Sequence, residues 1–156
     1  MPETLINEAL RKGIDLVDVL AKALNLDPND RTEAHLELAV RFLNEGRDLI
    51  DRDPVQASEK LYKAAEEAIK ALAIVLNLDE SRTALEQGRW ATALLFKAVD
   101  SISDKLGKEE VRLWWKAAWF LRVEGFHETR LEPSQIKRDL RYVETIVKLA
   151  QEYRGW

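Results

Sequence analysis

The sequence predicts an all-α protein, an up-and-down antiparallel bundle of five to six helices formed by a single domain over residues 1–156. Three observations carry this expectation. Apolar residues recur at spacings of three and four and never at two, the period of a strand. Start and stop signals punctuate the pattern at Asp53-Pro54, Gly88, Gly107 and Pro133. The segments between them are joined by short connections, which makes successive helices antiparallel neighbours. The stretch A-S-E-K-L-Y-K-A-A looks like part of a tetratricopeptide unit, but it has no second copy, so a repeat array is not expected.

Residues 3–24 read as one helix with Leu5, Ala9, Leu16, Val17, Leu20 and Leu24 inward. Glu8–Lys12, Arg11–Asp15 and Asp18–Lys22 read as i,i+4 pairs on its solvated face. Asp27-Pro28 breaks the pattern. Asp30, with Glu33 three residues on, reads as a capping box opening a helix to about Arg52. His35 falls at the edge of that helix's apolar stripe, as a hydrogen-bonding residue. Asp53-Pro54-Val55-Gln56 is the clearest start signal, an Asp cap followed by proline at the first helical position. The helix it opens, to about Leu76, carries Glu59–Lys63, Lys63–Glu67 and Glu66–Lys70 as surface pairs. Ser81 caps a short turn that Gly88 ends. A helix over Ala91–Leu106 terminates at Gly107. Leu131-Glu132-Pro133 restarts the chain into a last helix that finishes near Tyr153.

The stretch from Val111 to Arg130 stands apart. Leu113, Trp114, Trp115, Ala117, Ala118, Trp119, Phe120 and Leu121 point apolar groups all round a helix. Such a helix needs cover on nearly every side, from the bundle or from a second copy, and so implies a homodimer.

The chain has a net charge of −4, spread as −5 over residues 1–53, −1 over 54–107 and +2 over 108–156. The acidic balance argues against double-stranded DNA as a partner, and the basic third coincides with the tryptophan cluster. There is no cysteine, hence no thiolate metal site and no cysteine nucleophile. Glu124-x-x-His127 matches a di-iron carboxylate–histidine pair, but the chain offers one such pair where two are needed, so neither a metal nor a cofactor is assigned. The N-terminus lacks the layout of a signal peptide and no apolar run reaches membrane-spanning length, so a cytoplasmic protein without a membrane partner is expected.

The segment D-P-V-Q-A-S-E-K-L-Y-K-A-A-E-E-A-I-K-A-L, with G-F-H-E after a tryptophan-rich helix, resembles the archaeal PaREP family of small helical proteins over roughly residues 33–150. That family resembles in turn the HEPN superfamily of helical bundles. The resemblance implies two alternatives. One is a metal-independent ribonuclease, a toxin-type RNA-processing protein whose R-x(4–6)-H motif is brought together by dimerisation. The other is a non-catalytic module that binds a nucleotide or a protein, such as a nucleotidyltransferase partner. Carried over, Arg122 matches the motif's arginine and His127 its histidine. Trp119 or Phe126 would stack a base, and Glu128 would orient the imidazole. Arg130, Lys137, Arg138 and Arg141 are candidates for an anionic ligand, with 137 and 141 on one helical face.

Helix geometry bears on the pair independently. Five residues of a straight α-helix subtend about 500°, leaving Arg122 and His127 about 140° apart unless the helix loosens, and Gly125 is the place for that. A purely structural reading has Arg122 stacked on an indole and paired with Glu124 or Glu128, and His127 ending the helix where a cation suits the dipole.

Overall fold

The computed structural model describes residues 2–155. Among them every regular element is helical: α1 (Glu3–Arg11), α2 (Leu16–Ala23), α3 (Pro28–Leu49), α4 (Pro54–Val75), α5 (Asp79–Gln87), α6 (Thr92–Leu106), α7 (Glu110–Phe120), a π-helical turn (Leu121–His127) and α8 (Pro133–Arg154). The all-α class stands. Eight α-helices exceed the expected five to six, for two local reasons. Gly13 takes φ +73°, which ends α1 and divides the expected first helix. The short turn expected before Gly88 is a full helix, α5, closed by Gly88 at φ +68°.

Proline explains a second shift. Asp27, rather than Asp30, caps α3: its Oδ1 accepts from the Asp30 amide at 2.9 Å, with Pro28 at the first helical position. A proline there loses no intrahelical hydrogen bond, so Asp27-Pro28 opens a helix as well as closing the preceding segment. The same chemistry starts α4, where Asp53 Oδ1 accepts from the Gln56 amide at 3.1 Å. Glu132 and Gln135 cap α8 reciprocally.

α3 and α4 form a long antiparallel hairpin, and α8 runs along both. Gly46 is needed inside it. A Cβ there would lie 2.7 Å from Leu61 Cδ2, so α3 approaches α4 more closely than any side chain allows. α4 is the true centre of the bundle. Fourteen of its 22 residues are buried, including Ala64, Ala65, Ala68, Ala71 and Ala73. The small residues let α3, α6, α7 and α8 close in, and Leu61, Tyr62, Ile69 and Leu72 supply the core volume.

α7 is only partly enclosed by its own chain. Only Val111, Trp115 and Ala118 of its residues are buried. Leu113 is 57% exposed and Phe120 45%, so the chain itself covers this helix on one side. Trp115 and Trp119 pack edge-on against Phe96 of α6 and close to Tyr62 of α4. Among the described residues no helix is long and apolar enough to cross a membrane.

Candidate functional site

The chain's chemistry is concentrated where α2, α3 and α4 meet. Asp18, expected on a solvated face, is fully buried. Its Oδ1 accepts from Arg31 Nε at 2.5 Å and contacts His35 Nε2 at 3.1 Å, and its Oδ2 accepts from Trp90 Nε1 at 2.6 Å. His35, also fully buried, places Nδ1 3.0 Å from Glu67 Oε1. Both ring nitrogens face carboxylates, which carry no proton to give, so both must donate and the ring is an imidazolium. Glu67 Oε2 lies 2.9 Å from Lys70 Nζ, which also reaches Asp15 Oδ2 at 2.9 Å and Glu66 at 3.4 Å. Tyr62 donates to Glu66 Oε1 at 3.1 Å and carries the Arg122 guanidinium over its ring at 4.6 Å. One connected chain therefore runs from Trp90 through Asp18, His35, Glu67, Lys70, Glu66 and Tyr62 to Arg122.

The electrostatics follow from this geometry. Burial alone would lower the pKa of His35, but the Glu67 charge and the hydrogen bonds to Asp18 and Glu67 raise it to about 9. Burial would raise Asp18, yet His35 and Arg31 hold it well below the usual carboxylate range. Against the same burial cost, Lys70 and His35 bring Glu67 down to about 2. Lys70 itself is raised well above its ordinary value, because three carboxylates outweigh its burial. Asp15, Asp18 and His35 bring ligand atoms within 4.8 Å of one another, the spacing of a metal site. Their chemistry is different, since Arg31 and Lys70 already supply the positive charge and a doubly protonated imidazole has no lone pair for a metal.

Two readings of the sequence are thereby corrected. The expected surface pairs Asp18–Lys22, Arg11–Asp15 and Lys63–Glu67 are replaced by this buried network, and His35 lies inside the core rather than at its edge. Glu8–Lys12, Glu59–Lys63 and Glu66–Lys70 do form.

A cleft of about 390 Å³ opens above the network, lined by residues 13–17, Phe42, Glu66, Lys70, Trp90 and Arg122 among others. Arg122 sits at its edge, stacked on Tyr62 and 5.9 Å from Trp119, half-exposed and without a hydrogen bond or ion pair among the described residues. The expected stacking on an indole is present. The carboxylate pairing is not: Glu124 holds Arg130 instead, at 2.7 Å and 3.2 Å.

Arg122 opens, and His127 closes, the part of the π-helical turn that matters. In a π-helix the hydrogen bond links residues five apart, so the backbone positions 122 and 127 stand closer in rotation about the axis than an α-helix would put them. The helix does loosen around Gly125, but this glycine, whose φ is not positive, serves packing rather than dihedral freedom. A Cβ at Gly125 would sit 2.2 Å from Ser58 Oγ on α4. His127 is exposed, packed on the Phe126 ring at 5.1 Å. Glu128 is exposed and makes no hydrogen bond to it among the described residues. On α8, Lys137 is engaged with Asp51 at 2.9 Å, Arg141 lies over Tyr142 at 5.2 Å, and Arg138 is exposed.

An all-helical domain with a buried ion chain leading to an arginine on a π-helical turn is the class that fold and site define together. More narrowly, the chain belongs to the archaeal PaREP1/PaREP8 family, whose pattern matches residues 34–147. His35, Glu67, Lys70, Trp90, Arg122 and His127 lie inside the matched region, whereas Asp15, Asp18 and Arg31 precede it. The chain is similar to a protein from Sulfolobus solfataricus known from a crystal structure, with 38% identity over 74% of this chain and 95% of that one and a TM-score of 0.68. A solution structure of the same structural-genomics target gives 39% identity over 74% and 90% of the two chains, with a TM-score of 0.65. No curated protein matches.

Proposed function

We propose that the protein is a HEPN-like, metal-independent endoribonuclease that acts as a homodimer, with Arg122 and His127 as its catalytic pair. The observation that carries this reading is the π-helical turn. Its five-residue hydrogen-bond spacing matches that of the R-x-x-x-x-H pair, and the reading is supported by Arg122 making no ion pair among the described residues and by the exposure of His127. Local π-helices recur at functional sites because they cost hydrogen-bond geometry that packing elsewhere must offset.

The reaction is transesterification within the RNA strand. The ribose 2′-hydroxyl attacks the adjacent phosphorus and the 5′-oxygen leaves, giving a 2′,3′-cyclic phosphate and a 5′-hydroxyl. His127 takes the proton from the 2′-hydroxyl or returns one to the leaving oxygen, and the second copy supplies the opposite role. Arg122 binds the phosphate through its planar fork and stabilises charge as it develops. Trp119, 5.9 Å from the guanidinium, and Phe126, against the imidazole, flank these groups and offer faces for base stacking. Glu128 is exposed beside His127, and Arg138 and Arg141 are exposed cations for the flanking strand. Arg130 and Lys137 serve less well, since each already holds a carboxylate.

A non-catalytic nucleotide- or protein-binding module, such as a nucleotidyltransferase partner, is the second reading. It is favoured by one fact: His127 has no carboxylate to orient it among the described residues. The two are separated by digesting single-stranded RNA in EDTA with the wild type, Arg122→Ala and His127→Ala, each shown to be folded. The ribonuclease reading expects each variant to lose at least about 100-fold in rate. RNA that binds at low salt and stays intact supports the module instead.

A further inference from the structure

We infer that residues 13–18 fill an oxyanion pocket belonging to the bundle core, acting as an internal carboxylate ligand that a phosphate-class anion displaces. The donors come from the core. Arg31 and His35 lie on α3, Lys70 on α4 and Trp90 before α6, and all four converge on two carboxylates of one short segment, Asp15 and Asp18. Three donors on a single carboxylate, two of them cationic, are the arrangement that holds a phosphate.

The segment's own anchoring shows what keeps it in place. An ordinary surface helix buries an apolar stripe, but α2 buries only Ala21 and a carboxylate, Asp18. α1 buries only Ala9, while Leu5 and Leu10 are 60% and 62% exposed and Leu24, just past α2, is 66% exposed. The fully buried part of the attachment is therefore a charge, joined by the half-buried Ile14, Leu16 and Val17 and by a backbone hydrogen bond from Asp15 to Gly88 at 2.8 Å, on a backbone that turns at Gly13 with open space around it. It also lies outside the matched family region, as does Arg31, whereas His35, Lys70 and Trp90 lie within it. The cleft over this pocket opens beside residues 13–17, so an incoming anion reaches Lys70 and Trp90 directly. With the segment displaced, Arg31, His35, Lys70 and Arg122 face only Glu66 and Glu67, a net positive site suited to a dianion.

The proposal does not rest on RNA cleavage, and its test does not involve it. Inorganic phosphate is titrated into full-length wild type and the Asp15→Ala/Asp18→Ala variant, followed by calorimetry and by the ring nitrogen resonances of His35. The variant should bind phosphate at least about tenfold more tightly than the wild type, whose pocket is filled for most of the time. In the wild type, millimolar phosphate should speed hydrogen exchange over residues 3–18 and leave α4 unchanged. Equal affinities, or a folded variant whose His35 resonances ignore phosphate, would overturn the proposal. Should the variant not fold, exchange in the wild type decides: protection of residues 3–18 that phosphate leaves untouched overturns it as well.

Discussion

His35 is enclosed with a carboxylate on each ring nitrogen, and its raised pKa ties the stability of the fold to pH in a definite direction. A group that gains basicity on folding stabilises fully below its unfolded value, 6.5, and loses that contribution as pH rises toward about 9. Glu67 and Asp18 act in the opposite sense, stabilising above their ordinary values of 4.5 and 3.8 and losing the contribution as pH falls through their depressed ones. Denaturant midpoints should therefore be highest between about pH 4.5 and 6.5 and decline on both sides, and His35→Gln should lose the decline between 6.5 and 9. An alkaline limb that survives the substitution would remove His35 as its cause. Asp18→Asn keeps the shape but removes the anion shared by Arg31 and His35, leaving His35 only Glu67 and Arg31 only the Ser81 carbonyl, which should cost about 3–5 kcal/mol in urea unfolding. At Gly125 steric fit decides. Gly125→Ala drives a methyl into Ser58 and should cost about 1–3 kcal/mol, with partial recovery when Ser58→Gly is added. Additive losses in the double variant would mean that the clash is not what matters.

At the scale of elements, α4 and α7 divide the burial differently from what their compositions suggest. The run A-I-K-A-L-A-I-V-L over residues 68–76 is apolar all round with Lys70 as its only polar member, and a helix of that kind must be buried. The signal was thus present, and it placed Lys70 inside. It was masked because Glu66–Lys70 and Lys63–Glu67 also match the spacing of surface ladders, and spacing alone does not tell a solvated face from a buried one. Asp18 carried a weaker signal still. Its partners stand 13, 17 and 72 residues away, and no local pattern reports contacts of that span. The caps at Asp53, Gly88, Gly107 and Pro133 were legible because their chemistry is completed within a few residues. In α7 large aromatic side chains were read as needing cover all round, yet Leu113 and Phe120, seven residues apart, form an exposed apolar edge. If that edge is the dimer contact, Leu113→Lys/Phe120→Lys should give monomers of unchanged helicity, seen as a halved mass by light scattering. A wild type that is already monomeric at tens of micromolar would exclude the contact.

For the molecule as a whole, the bundle holds its charges in two distinct settings. Asp18, His35, Glu67 and Lys70 are buried among ionic partners, while on the π-helical turn Arg122, stacked on Tyr62, and the exposed His127 make no ion pair among the described residues. On the proposed reading, RNA chemistry falls to the turn, while the interior network holds α2, α3 and α4 together until an anion displaces the segment that carries Asp15 and Asp18. The claim meets its most direct test in the products formed from a short RNA with one ribose replaced by its 2′-deoxy form, incubated in EDTA and followed by phosphorus NMR. The account predicts 2′,3′-cyclic phosphate at ribose sites, silence at the deoxy position, and loss of the signal in His127→Ala. Cleavage at the deoxy position, or 5′-phosphate ends, would contradict it.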